Sequence, residues 1–136
     1  MRIDFCDGWT CCRADGTDRK YPVRIPHDAM LSEDRMYDSR GGKNIGWYEG
    51  GDYIYEKDFQ VPELYEDQTV ILEFEGVYHD GDVLLNGMDM GNTGYGYNGC
   101  FVCLDGALRE GENRLRVTVR NSDQPNSRWY TGTGIY

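Results

Sequence analysis

The clearest pattern along this chain of 136 residues is a two-residue alternation of apolar and polar positions. It runs through residues 53–60, 70–75 and 114–120, which are rich in β-branched and aromatic side chains. Because successive side chains of a strand point to opposite faces of its sheet, this period predicts half-buried β-strands. Further short strands are predicted at residues 2–6, 9–13, 82–85, 88–90 and 101–104. No segment keeps a helical apolar stripe for three turns, so the sequence predicts an all-β domain.

Turn residues divide these strands. Asn86-Gly87 lies between two of them and is a strong signal for a two-residue hairpin, and Asp7-Gly8 is interpreted as a second hairpin turn. Residues 21–28 contain two prolines and are predicted to be an extended connection, whereas residues 32–46 are predicted to be a long loop. Short strands separated by such turns are typical of a β-sandwich or jelly roll.

Charge and cysteine content exclude several classes of function. The net charge of −10 and the pI near 4.5 argue against binding to nucleic acid or to an anionic membrane. No apolar run has the length of a membrane span, and the amino terminus lacks the layout of a signal peptide, which predicts a cytoplasmic protein if Met1 is native. Five cysteines are interpreted as free thiols. Cys100 and Cys103 have metal-ligand spacing without a suitable second pair, so neither a metal nor another cofactor is expected.

Three motifs suggest catalysis or nucleotide binding, and each has a simpler explanation. Residues 94–99 match a dinucleotide fingerprint by letter, but a strand rather than a helix is predicted after them. Glu73 and Glu75 resemble a pair of glycosidase carboxylates, yet alternate acids on one strand are more often a solvated face. His27 lies between proline and aspartate and is interpreted as a hydrogen-bonded structural residue. The sequence therefore predicts no catalytic residue.

Aromatic residues are the more informative feature. Eleven tyrosines and three tryptophans occur, several of them in polar loops rich in glycine. Flat rings with hydrogen-bonding rims suit sugar rings, although such rings also cap a sandwich or pack on a neighbouring domain. The candidate carbohydrate-binding residues are Trp47, Tyr95, Tyr97, Asn126, Arg128, Trp129 and Tyr130.

Several segments, in order along the chain, carry a family resemblance. They are Pro26-His-Asp, Gly46-Trp-Tyr, Tyr55-Glu-Lys-Asp-Phe, Phe74-Glu-Gly-Val-Tyr, Val83-Leu-Leu-Asn-Gly, Gly94-Tyr-Gly-Tyr, Gly111-Glu-Asn and residues 121–136. With them the chain resembles the N-terminal domain of family 2 glycoside hydrolases, in the β-galactosidase-like branch. The resemblance implies a jelly-roll β-sandwich, galactose-binding-domain-like, which is often called sugar-binding. In such enzymes an immunoglobulin-like domain and a barrel with both catalytic glutamates follow it.

The resemblance implies that residues 1–136 are a single non-catalytic domain, expected to pack on the barrel of a retaining β-glycosidase and to shape the cleft for a β-glycoside or oligosaccharide. Two alternatives stay open, an independent carbohydrate-binding module and a purely structural domain. Ile135 and Tyr136 have strand-forming side chains, so the sandwich is expected to be C-terminally truncated, with its last strand or strands missing after Tyr136. An open sheet edge there predicts self-association of the chain.

Overall fold

A computed structural model gives the fold and describes residues 1–63 and 67–136. Eleven strands and two 3-10 helices are formed in this part of the chain. The strands are β1 (Trp9–Arg13), β2 (Tyr21–Val23), β3 (His27–Asp28), β4 (Tyr53–Val61), β5 (Ile71–Phe74), β6 (Val77–Tyr78), β7 (Asp80–Leu85), β8 (Met88–Asn92), β9 (Cys100–Cys103), β10 (Gly111–Arg120) and β11 (Gly134–Ile135). The 3-10 helices span Ala29–Ser32 and Gly42–Ile45. The predicted all-β class is confirmed.

The largest sheet has six strands in the order β2-β1-β4-β10-β7-β8. Its centre is the antiparallel pair β4 and β10, which stays in register from Val61 opposite Gly111 to Tyr53 opposite Val119. A three-stranded sheet has the order β3-β11-β6, and β5 pairs with β9. The small sheets supply the second layer of a sandwich.

The hydrophobic core lies between these layers, because each of the main strands turns alternate apolar residues inward. Leu115, Val117 and Val119 of β10 are fully buried, as are Tyr53 and Tyr55 of β4. The second layer contributes buried side chains to the same core: Leu72, Phe74, Val77, Val102 and Ile135. Burial of these apolar surfaces is the main favourable term in the stability of the fold.

The β7–β8 hairpin confirms the turn predicted at Asn86-Gly87. Both residues have a positive φ, 52° and 83°, as a type I′ turn requires. Asn86 also has a role that the turn signal did not reveal. Its side-chain nitrogen donates to the Ala107 carbonyl and to Asn113 Oδ1, both at 2.8 Å. The turn is therefore tied to the loop that precedes β10.

Two predictions near the amino terminus are wrong. Residues 2–6 form no strand, and the Cys6 amide donates to the nearby Asp4 Oδ1 at 2.9 Å rather than to a neighbouring strand. Asp7-Gly8 consequently closes no hairpin, and β1 pairs instead with β2 and β4.

Residues 21–28 are more than a connection, since they contain β2 and β3. Pro22 is tolerated because β2 is an edge strand, where a missing N–H costs no ladder hydrogen bond.

The last residues of the chain form β11, as their side chains predicted, and β11 is the central strand of its sheet. Gly134 pairs with Asp28 on one side and with Tyr78 on the other. The free edges of this sheet are therefore β3 and β6, and self-association stays a prediction.

Among residues 1–63 and 67–136, no helix has the length and apolar character needed to cross a membrane.

Candidate functional site

Asp28 organises the end of the sandwich where the polar loop 121–133 lies. It ends β3 and caps the first 3-10 helix, because its Oδ1 accepts a hydrogen bond from the Met30 amide at 3.0 Å. The same oxygen accepts from the Thr133 amide at 2.9 Å, and Oδ2 accepts from the Tyr130 hydroxyl. One carboxylate thus joins β3, the helix and the loop. Both of its oxygens are engaged within the protein.

An amide network holds the rest of the loop. Asn121 is buried, and its side-chain nitrogen donates to the Gly132 carbonyl at 2.9 Å and to Thr133 Oγ1 at 2.7 Å. Its side-chain oxygen accepts from Gln124 at 3.0 Å and from Asn126 at 2.6 Å. Asn126, a predicted sugar-binding residue, therefore uses its side-chain nitrogen to hold the loop.

Gly132 allows the loop to approach β3 closely. Its φ is 77°, and a Cβ at this position would collide with the Tyr136 hydroxyl and with the Asp28 carboxylate. The Tyr136 hydroxyl oxygen is buried and has no hydrogen-bond partner among the residues that the structure describes. A side chain at residue 132 would therefore separate the loop from the sheet.

Aromatic rings meet around this framework. Tyr97 packs edge-on against Tyr78, with ring centroids 5.4 Å apart, and lies 5.8 Å from Tyr95. The pKa of the Tyr97 hydroxyl is raised, chiefly by hydrogen bonding with the Tyr78 side chain, while the nearby Trp129 side chain acts to lower it. We call Tyr78, Tyr95, Tyr97, Trp129 and Tyr130 the ring cluster; its first three rings are in direct contact, whereas Trp129 and Tyr130 belong to the adjoining loop that Asp28 holds. Of the predicted site residues, four belong to it.

The ring cluster combines buried anchors with exposed faces. Tyr78 is buried, whereas Tyr95, Tyr97 and Trp129 are 58%, 61% and 65% exposed. Tyr130 lies at the boundary, 5.8 Å from the buried ring of Tyr48. Burial, together with the hydrogen bond to Asp28, raises the pKa of the Tyr130 hydroxyl, so that this group remains a donor. The exposed rings are thus held at a fixed place on the sandwich.

Two predicted residues lie outside this arrangement. Arg128 is exposed beside Trp129 in the sequence and makes no ion pair with the part of the chain that the structure describes. Trp47 stacks on Tyr37 instead, with ring centroids 5.2 Å apart and planes 14° from parallel. Sequence reasoning missed Tyr37 and Tyr78 as site residues, whereas Tyr48 was considered together with Trp47 as an aromatic candidate. Tyr37 could have been found, because it lies in a polar loop like the aromatic residues that were chosen.

The residues considered for catalysis have structural roles. Glu73 and Glu75 lie on the solvated side of β5 and beyond its end, and both pair with the exposed Arg2. His27 Nδ1 lies 2.8 Å from the Tyr55 hydroxyl oxygen, which confirms the hydrogen bond predicted for it. Burial lowers the pKa of His27, so its neutral form is favoured in the fold. Residues 94–99 lead into β9, a strand, as predicted.

Comparisons with known proteins identify the family to which this domain belongs. The family model described as "Glycosyl hydrolase 2 galactose-binding domain-like" matches residues 9–130. The β-galactosidase BoGH2A of Bacteroides ovatus is 34% identical over 145 aligned residues, which cover 99% of this chain and 17% of that enzyme.

Solved structures show the same fold. A β-glycosidase from Bacteroides vulgatus matches with a TM-score of 0.87 and 30% identity, over 98% of this chain and 19% of that protein. A β-glucuronidase from Bacteroides uniformis matches with a TM-score of 0.75 and 22% identity, over 97% of this chain and 16% of that protein. The chain thus spans less than a fifth of the length of these three relatives.

Proposed function

Because the chain belongs to the galactose-binding-like domain family of glycosyl hydrolase 2, we propose that it is a non-catalytic domain forming one wall of the substrate cleft in a β-glycosidase. The observation that carries this proposal is the ring cluster, in which exposed rings from two separate loops meet on a rigid framework. In this proposal a catalytic barrel forms the opposite wall and supplies both carboxylates of a retaining mechanism.

The chemistry of the ring cluster supports a carbohydrate ligand. The C–H face of a pyranose packs on an aromatic ring, and tyrosine hydroxyls and the Trp129 indole provide hydrogen bonds at the rim. Arg128 adds a positive charge in the same loop as Trp129. Its guanidinium forms no ion pair with the acidic residues that the structure describes. These groups would orient a bound β-glycoside rather than react with it.

A β-galactoside is the proposed substrate, because the relative that is 34% identical is a β-galactosidase. The fold alone does not decide the sugar, since a β-glucuronidase shares it. A cytoplasmic location stays a prediction from the sequence.

A domain that forms one wall leaves its ligand largely in water, so its own affinity should be weak. We expect this chain to bind galactose or lactose no more tightly than about 1 mM, which corresponds to roughly −4 kcal/mol. Isothermal titration calorimetry measures this affinity. Micromolar binding that is lost in Trp129→Ala would instead support an independent carbohydrate-binding module.

The decisive test uses an enzyme that carries this chain together with a catalytic barrel. Trp129→Ala should lower kcat/KM for a nitrophenyl β-galactoside by about tenfold or more, because the substrate loses an orienting wall. Phe101→Ala is a matched control, since Phe101 is 71% exposed on β9, outside the ring cluster. Equal kcat/KM for both variants and the unaltered enzyme would support the purely structural alternative.

The chain by itself should hydrolyse no nitrophenyl β-galactoside, because Glu73 and Glu75 are both paired with Arg2 at the surface. Absorbance of released nitrophenol measures this. Turnover that disappears in Glu73→Gln or Glu75→Gln would contradict the non-catalytic assignment.

A further inference from the structure

Trp47 has an unusual backbone conformation for a large side chain. Its φ is 70°, in the left-handed region that strongly favours glycine, and it follows Gly46, whose φ is also 70°. Bulky residues are rarely held in this region, and where they are, the strain often marks a functional position. The Trp47 amide donates to the Gly42 carbonyl at 2.9 Å, and its carbonyl accepts from the Met36 amide at 2.7 Å. The backbone of Trp47 is therefore fixed on both sides.

This fixed backbone supports a stacked pair of rings at the surface. Tyr37 lies nearly parallel to Trp47, yet 88% of Tyr37 is exposed. The loop beneath is anchored by Ile45, which is buried in a small cluster with Met30 and Tyr48. We call the pair the Tyr37–Trp47 stack. Among the described residues, neither of its rings packs on a member of the ring cluster.

The exposed face of Tyr37 has the size and chemistry of a sugar-binding surface. A stable protein partner buries about 800 Å² on each side, far more than one ring presents, whereas a single pyranose covers one ring. Polar groups flank the stack in the sequence, including the exposed residues Asp38 and Asn44. Arg40 is neutralised by Glu49 at 2.7 Å, and the chain has a net charge of −10, so a neutral ligand is favoured over an anionic one.

We propose that the Tyr37–Trp47 stack is a second carbohydrate-binding site, which takes a neutral pyranose unit of a β-linked oligosaccharide on the outer face of Tyr37. This site goes beyond the proposed function, because it needs neither the ring cluster nor a catalytic barrel. It would bind part of a longer glycan. The fixed backbone of Trp47 would hold the two rings in the binding geometry before the ligand arrives.

The test titrates the chain with cellohexaose and with a β-1,4-linked galactose hexasaccharide, followed by calorimetry and by NMR signals of tyrosine rings. We expect at least one of the two to bind, and Tyr37→Ala to weaken that binding by about tenfold or more, since the ring face is lost. Tyr37→Phe keeps the ring and should stay within about threefold of the unaltered chain. Because Tyr37 is almost entirely exposed, both variants should fold, and their melting temperatures check this.

Phe101→Ala is the matched control, because Phe101 is an exposed ring on β9 that belongs neither to the Tyr37–Trp47 stack nor to the ring cluster. It should change hexasaccharide affinity by less than about twofold, since Phe101 makes no ring contact with either group among the described residues. No saturable binding of either hexasaccharide, or equal binding by Tyr37→Ala and the unaltered chain, would overturn the second site. Binding lost only in Trp129→Ala would also overturn it while supporting the proposed function. Equal or tighter binding of a hyaluronan oligosaccharide, which carries carboxylates, would overturn the assignment to neutral sugars.

Discussion

The centre of the six-stranded sheet and the loop 121–133 are held in place by different forces. In the sheet, β10 pairs with β4 and β7 on its two sides, and its inward side chains are completely buried. In the loop, position depends on hydrogen bonds that the Asp28 carboxylate accepts and that the Asn121 side-chain nitrogen donates. A sheet tolerates many apolar sequences of similar volume, whereas the loop depends on particular polar atoms. The candidate site thus lies where single residues matter most for geometry.

The largest expected effect comes from the sheet. Leu115→Ala removes a fully buried side chain at the centre of the core and should reduce the free energy of unfolding by about 2 to 5 kcal/mol. Urea denaturation measures this loss. Arg114→Ala, on the solvated face next to it, should cost less than about 1 kcal/mol, although Arg114 pairs with Asp58. Equal losses in the two variants would contradict the layered core.

A smaller loss of stability, but a larger effect on the site, is expected for Asn121→Ala. The change leaves the Asn126 side-chain nitrogen and the Gly132 carbonyl without this partner, although Gln124 still donates to the carbonyl of residue 121, and should cost about 1 to 3 kcal/mol. Because Trp129 lies in the same loop, its fluorescence and its protection from quenchers should change as well.

Leu115→Ala provides the comparison, since it should leave Trp129 fluorescence unaltered in the folded protein. Unchanged Trp129 fluorescence in Asn121→Ala would show that the amide network does not position the loop.

The smallest expected effect is a dependence of stability on pH through His27. Burial lowers its folded-state pKa below the unfolded value, so the folded form favours neutral imidazole. The resulting stability is fully present above the unfolded pKa of about 6.5 and is lost as the pH falls through the folded pKa. One group takes up at most one proton, so the slope cannot exceed about 1.4 kcal/mol per pH unit.

Urea denaturation between pH 5 and about 8 measures this dependence, and His27→Gln should remove the contribution of His27. His79→Gln is the matched control, because His79 is exposed. A pH profile that His27→Gln leaves unchanged would exclude His27 as its source.

Much of the sheet could be predicted from the sequence because its signals are local. The alternation over residues 53–60 corresponds to β4, which ends one residue later at Val61, and Asn86-Gly87 is the turn of the β7–β8 hairpin. Residues 2–6 show the limit of such signals, since they alternate like a strand but make local and loop hydrogen bonds instead. Strand pairing depends on which partner lies alongside, and a short segment does not contain that information.

The candidate site likewise has features that the sequence predicts and features that only the tertiary structure decides. Composition and loop position alone selected Tyr95, Tyr97, Trp129 and Tyr130, because exposed rings in polar loops suggest sugar binding. Their positions were decided by tertiary structure, since Asp28 on β3 accepts hydrogen bonds from Tyr130 and Thr133, while Asn121 ties the two ends of the loop together. The separation of Trp47 from that group, and its pairing with Tyr37, likewise depend on a left-handed backbone at Trp47. The sequence by itself thus determined the strands and the kinds of side chain available, whereas long-range hydrogen bonds and packing decided which of them meet.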